Sequence, residues 1–261
     1  MKLNSHRNTV LALAAVAALT TIGHTAEAQR LSQIHPSFYS GAEADTRNQQ
    51  FYLLGMYVGT GGLGWSPFFN VNGYTLRYRV PNSLSNRGPS SLSSNSSTLS
   101  AVLPTIGIAY AGRRGGVSFG GGYAFVNKEN PGAPGAEAGG SSGATASVSA
   151  YQNGSGRRSL RTQLLSNYNF DSRYVWGRGR ASVPFGHSNR HPARIGAEVV
   201  GQGGGTDTRK SNSFEVGPTL EYAWTPRLRT TGVVGYKSVG GPSFPSRENA
   251  GYFKLEFSFS P

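Results

Sequence analysis

Apolar and polar side chains alternate along this chain, and the last stretch shows the pattern most plainly. In GYFKLEFSFSP (251–261), Phe253, Leu255, Phe257 and Phe259 occupy every second position, with Lys254, Glu256 and Ser258 between them. A strand has a side-chain period of two, so such a segment carries one greasy face and one ionic face. Comparable segments recur at 37–44, 50–58, 64–80, 100–111, 116–126 and 144–152, then at 159–168, 173–185, 194–202, 213–224, 227–237 and 251–260. The pattern predicts twelve strands, within a range of ten to fourteen. Asn72-Gly73 is a strong hairpin dipeptide, but halving the segment 64–80 there leaves two pieces shorter than the ~9–11 residues a membrane strand needs. A bulge within one long strand is the expectation.

The connections sort by length. Numbered from the first strand, the odd gaps include the long stretches 81–99, 127–143, 203–212 and 238–250. The even gaps include GTGGL, GRRG, NGSGRR, GHSNRHPA and the two-residue Thr225-Pro226. Two odd gaps, DTRNQ and NFDS, are short exceptions. Outer-membrane barrels have short periplasmic turns and longer outside loops, whereas a β-sandwich has no need to sort its loops. The fold class expected is all-β: a single antiparallel up-and-down transmembrane barrel, with a soluble sandwich, a lipocalin-like barrel or a β-solenoid as alternatives. Tyr222, Trp224, Tyr236 and Tyr252 are expected at the membrane interfaces.

The N-terminus points the same way. Lys2 and Arg7 precede an apolar run, VLALAAVAALTT (10–21), and Ala26-Glu27-Ala28 follows as an A-x-A cleavage site. Residues 1–28 are expected to be a secretory signal peptide and residues 29–261 the barrel, exported to the bacterial outer membrane. The chain has no cysteine, so no disulfide staples it. Glycine is abundant at 37 residues, aromatics make up 11% and charged residues only 14%, against about 25% charged in a soluble domain. Formal net charge is +13, of which Lys2, Arg7 and Glu27 contribute +1, leaving +12 after cleavage. An exported barrel rarely meets nucleic acid, so no nucleic-acid partner is expected; the excess reads first as solvated loop charge, with anionic membrane lipid or acidic polysaccharide as the expected counter-ions.

The alternation also assigns an inward face. Tyr174, Trp176, Arg178 and Arg180 share one side of the eighth segment, opposite Val175, Ala181, Val183 and Phe185. Arg161, Gln163, Arg194, Glu198, Glu215, Thr219, Glu221, Arg227, Arg229, Lys237, Lys254 and Glu256 join them from neighbouring segments. One reading is a lumen filled by paired charges, because none can sit unpaired in a dry interior. The other is a groove with an aromatic platform at Trp176 and Tyr174, where flat rings beside hydrogen-bonding groups hold sugars. The candidate glycan or ion contacts are Tyr174, Trp176, Arg178, Arg180, Glu198, Glu215, Glu221 and Arg229.

Catalytic signals are thin, and no catalytic residue, cofactor or metal is expected. Beyond the signal the histidines are His35, His187 and His191, and the latter two flank SNR with no third ligand in view. Gly116–Gly120 spells a G-x-S-x-G pattern but lacks the strand-to-helix turn that gives a nucleophile elbow its meaning.

SFYSGAEAD (37–45), GGYAFVNKENPGAP (121–134), SNYNFDSRYVWGRGR (166–180), IGAEVVGQGG followed by FEVG (195–217) and VVGYK (233–237) are distributed over most of the chain. In these segments the protein resembles the BcsS family, barrel-like accessory proteins of bacterial cellulose synthesis systems. The resemblance implies an envelope protein connected with making or exporting a β-glucan, alongside a polysaccharide synthase or export complex, with no reaction of its own. A small porin-like channel and a lipid-modifying enzyme are the alternatives.

Overall fold

The computed structural model describes residues 34–60, 62–79, 96–128, 141–154, 159–186, 193–205, 211–240 and 247–261. The expected signal peptide, His187 and His191 lie outside them. Twelve strands follow one another: β1 (Ile34–Asp45), β2 (Gln50–Thr60), β3 (Gly64–Arg79), β4 (Ser96–Ala111), β5 (Gly115–Lys128) and β6 (Gly143–Asn153). They continue as β7 (Arg161–Asn169), β8 (Tyr174–Phe185), β9 (Ala193–Gly204), β10 (Ser211–Ala223), β11 (Leu228–Gly240) and β12 (Glu248–Phe259). Each pairs with its neighbour in sequence, and β1 pairs antiparallel with β12 to close the barrel, Phe38 opposite Phe259 and Glu43 opposite Lys254. Closure leaves no sheet edge unpaired.

The residue alternation sets the two faces as expected. On β12, Tyr252 and Lys254 are 5% and 8% exposed, whereas Phe253 between them is 51% exposed. On β10, Glu215 and Thr219 are buried while Phe214 and Leu220 point outward. The outer surface carries Ile106, Ile108, Phe119, Phe125, Leu164, Phe185, Ile195 and Phe257, all exposed. A soluble monomer does not tolerate a continuous apolar belt of this kind. From Phe214 to Trp224 the outward face of β10 runs ~33 Å along the strand, or about 25 Å of height at an outer-membrane strand tilt, the thickness of an apolar membrane band.

Aromatic pairs mark the two rims of that band. Trp65 lies tilted against Tyr110 (5.4 Å between centroids) and Tyr222 meets Trp224 edge-on (4.8 Å) at one end; Tyr123–Phe125 (4.9 Å) and Tyr168–Phe170 (5.0 Å) lie towards the other. Tyr222, Trp224 and Tyr236 face outward as expected, but Tyr252 does not. It shares the parity of Lys254 and points into the barrel. Its residue type suggested the rim, and the period-two rule overrides residue type.

The bulge expected at Asn72-Gly73 is absent. Pairing runs without a break through Gly55↔Asn72 and Leu54↔Gly73 on one side, and Asn72↔Leu103 and Gly73↔Val102 on the other. Asn72 serves through its side chain, which receives the Tyr39 hydroxyl inside the barrel.

The strand ends that bound the two longest gaps, Arg79 with Ser96 and Lys128 with Gly143, lie at the end opposite the Trp224–Arg227 turn. The two short exceptions at that long-loop end are tight turns. Asp45 accepts the backbone N–H of Arg47 (2.8 Å) and Gln49 (3.0 Å), and Asn169 accepts those of Asp171 and Ser172 (both 3.0 Å). Asn48 (φ 64°) and Arg173 (φ 51°) take the left-handed conformation that lets four residues reverse the chain.

Candidate functional site in the barrel lumen

Strands β8 to β12 and β1 send long polar side chains inward, and their charged ends meet in the middle of the barrel. Lys237 on β11 bridges Glu43 on β1 (2.8 Å) and Glu215 on β10 (2.9 Å). Lys254 on β12 lies 2.8 Å from Glu198, 3.4 Å from Glu43 and 3.6 Å from Glu215. Arg180 on β8 joins Glu198 to Glu256 (2.8 Å), and Arg178 completes the chain on Glu256 (2.7 Å). Glu43, Glu198, Glu215 and Glu256 thus balance Arg178, Arg180, Lys237 and Lys254, so the network is electrically neutral. Glu198 has no exposure at all. A charge this deep is tolerated because each partner supplies hydrogen bonds as well as attraction.

The eight candidate contacts therefore divide. Arg178, Arg180, Glu198 and Glu215 belong to the neutral network, which also recruits Glu43, a residue that sequence reasoning passed over. Glu221 and Arg229 lie at the short-turn end, where Glu221 pairs with Arg161 (2.5 Å). Tyr174 lies at the long-loop end, donating to Gln202 (2.5 Å), whose amide reaches Ser213 (2.6 Å). Trp176, between Tyr174 and the network, is half-buried on the inward face, opposite Asn167 of β7 and Gln202 of β9.

The facing wall is different. Strands β4, β5 and β6 put no described charged side chain inside the barrel. Their inward residues include Thr105, Gly120, Gly122, Ser118, Ser147 and Ser149, with Ser118 and Ser149 hydrogen-bonded at 2.7 Å. The serine of the G-x-S-x-G spelling is thus one member of a hydroxyl-lined wall, within a strand. Gln163, Leu165 and Asn167 of β7 continue that wall towards Trp176, and Ser118, Ser147, Ser149, Gln163 and Asn167 all remain half-exposed.

Rings are seated where glycine leaves room. A Cβ at Gly55 would fall 2.2 Å from the Tyr39 ring, and one at Gly120 would fall 2.9 Å from Ser147 and 3.0 Å from Phe68. Tyr39 lies over the Gly55 socket and places its hydroxyl between Asn70 (2.9 Å) and Asn72. Phe68, stacked on Tyr57 at 5.4 Å, covers Gly120. Among the described residues no cluster of three or more histidines, aspartates or glutamates could hold a metal, and His35 is exposed at the start of β1.

This geometry has clear structural counterparts. The β domain of the Bordetella autotransporter BrkA aligns over 88% of this chain and 99% of its own, with a TM-score of 0.52 at 10% identity. LpxR from Salmonella typhimurium aligns over 85% and 99% (TM-score 0.51, 8% identity), and an outer membrane channel from Pseudomonas putida F1 over 87% and 95% (TM-score 0.52, 9% identity). The fold is that of a bacterial outer-membrane barrel. At such identities the likeness concerns the fold alone. No protein-family model matches the sequence, and no curated protein does.

Proposed function

We propose that this barrel resides in the bacterial outer membrane, exported by residues 1–28, and serves as a non-enzymatic accessory in the production or export of an exopolysaccharide. Cellulose is the polymer that the BcsS-like segments point to, and a synthase or export complex is the partner class. The observation that carries this reading is the pairing of two lumen walls. One wall cancels its own charge, so it makes no demand for a counter-ion. The other offers hydroxyls and amides up to the Trp176 ring at the border between the two, with no described charge on β4, β5 or β6. Such a surface suits an uncharged polyol, which stacks its ring faces on aromatics and exchanges hydroxyl hydrogen bonds with Ser, Asn and Gln.

Short turns face the periplasm in this reading and long loops face outward. A polymer-secreting strain lacking the gene is expected to lose exopolysaccharide output, and Trp176→Ala is expected to lower it with the barrel still folded in the membrane. Normal output from both strains would overturn the reading. The half-exposed wall also favours a second one, a porin-like path for small neutral solutes. That reading expects conductance in planar bilayers together with unchanged polymer output.

A further inference from the structure

The short-turn mouth of the lumen departs from the balance that rules its centre. Arg161 on β7, Arg194 on β9, Glu221 on β10 and Arg229 on β11 all take inward positions there. Glu221 stands opposite Arg194 in register, yet its carboxylate is taken by Arg161. Arg194 is left 9% exposed and, among the described residues, bonded to neutral oxygens only: the Ser182 hydroxyl (3.1 Å), the Ser182 carbonyl (2.8 Å) and the Ser159 carbonyl (2.7 Å). A buried guanidinium ordinarily carries a carboxylate partner. Arg229 is exposed and has no partner among the described residues. Three permanent positive charges therefore share one negative charge.

Donors stay unused as well. Among the described residues Arg194 commits Nε and Nη2 but not Nη1, and Arg161 commits Nε to Asn153 (3.1 Å) and Nη1 to Glu221 but not Nη2. Arg161 and Arg229 are both near enough to Arg194 to repel it, against the attraction of the Glu221 carboxylate. Guanidinium forks match the oxygen geometry of carboxylate and phosphate. Low-dielectric walls concentrate the excess field in the opening, and the exposed turn residues Arg113, Arg114 and Arg227 lie at the same end.

We infer that this mouth is an oxyanion-binding site, built on Arg194, Arg161 and Arg229, for the phosphate or carboxylate group of a ligand entering the lumen from the short-turn end. The inference does not rest on the glucan reading, because an uncharged polyol needs no excess of positive charge.

The test follows arginine Nε–H resonances of the ¹⁵N-labelled, folded full chain in detergent micelles. Inorganic phosphate and glucuronate are titrated at matched ionic strength against chloride. Saturable shifts are expected at Arg194, Arg161 and Arg229, with Arg178 and Arg180 unmoved because Glu256 and Glu198 already occupy them. Saturation by phosphate alone would assign the site to phosphorylated ligands, and saturation by both would assign it to oxyanions generally. R229Q removes an exposed, unpartnered side chain and should weaken binding by about tenfold while the spectrum stays folded. The inference is overturned if no mouth arginine saturates with either probe, if all the arginines respond alike, or if R229Q and R161Q both bind as the parent does.

Discussion

Lys254 on β12 places its ammonium 2.8 Å from a carboxylate oxygen of Glu198 on β9, three strands away around the sheet. The contact spans the curved interior, so it reports closure of the barrel as well as the alternation of each strand. Glu198 also holds Arg180, which makes it the link between the Lys237–Lys254 part of the network and the Arg178–Arg180–Glu256 part.

Removing that point should be costly. Glu198→Ala leaves two buried cations short of a carboxylate, and a loss of ~3–5 kcal/mol is expected. Urea unfolding in phospholipid vesicles, followed by tryptophan emission, measures it. The Glu198→Ala/Lys254→Ala pair should cost less than the sum of the single changes by about 1–3 kcal/mol, because the two groups share one network. Strict additivity would mean that the contact carries no coupling.

The outer face should respond in the opposite chemical sense. Phe253 points outward near the middle of β12, so Phe253→Arg is expected to destabilise the barrel by about 2–4 kcal/mol in a bilayer. Phe253→Leu should change stability by less than ~1.5 kcal/mol. Equal stability of the Arg and Leu variants in vesicles would place that face away from lipid.

Glycine positions separate socket from spacer. At Gly55 an added methyl would meet the Tyr39 ring at 2.2 Å, whereas at Gly73 the nearest atom is the Leu54 carbonyl oxygen at 3.9 Å. Gly55→Ala should cost ~1–3 kcal/mol through displacement of that ring. Gly73→Ala should be neutral or slightly stabilising, since its backbone is ordinary strand and alanine lowers the entropy of the unfolded chain. A strongly destabilising Gly73→Ala would restore the bulge that the register excludes.

The Tyr252 hydroxyl is buried without a described hydrogen-bond partner, beneath the ammonium of Lys254, which lies 5.6 Å from the ring centroid. Tyr252→Phe keeps the ring and removes the unsatisfied group, so stability should hold or rise by up to about 1 kcal/mol. A clear loss in the same urea assay would reveal a hydrogen bond to that hydroxyl.

Much of the architecture was legible in the chain because the side-chain period of a strand is local. Phe253 and Lys254 declare opposite faces to any reader of two consecutive residues, and twelve such runs, with their connections, predicted the twelve observed strands. The same rule would have placed Tyr252 inside, had parity been weighed above residue type. It would also have kept the strand straight at Asn72-Gly73, whose turn propensity is overridden by two paired neighbours.

By itself, the sequence determined which side chains face lipid and which face the lumen. Which lumen groups meet was decided by the tertiary structure alone: Lys237 finds Glu43 across 194 positions of sequence, and Glu221 goes to Arg161 although Arg194 stands opposite it. Those choices depend on strand number, closure and the stagger between strands, which are sums over the whole barrel. No local stretch carries them, because alternation repeats identically in every strand and says nothing about how far around the wall a given residue lies.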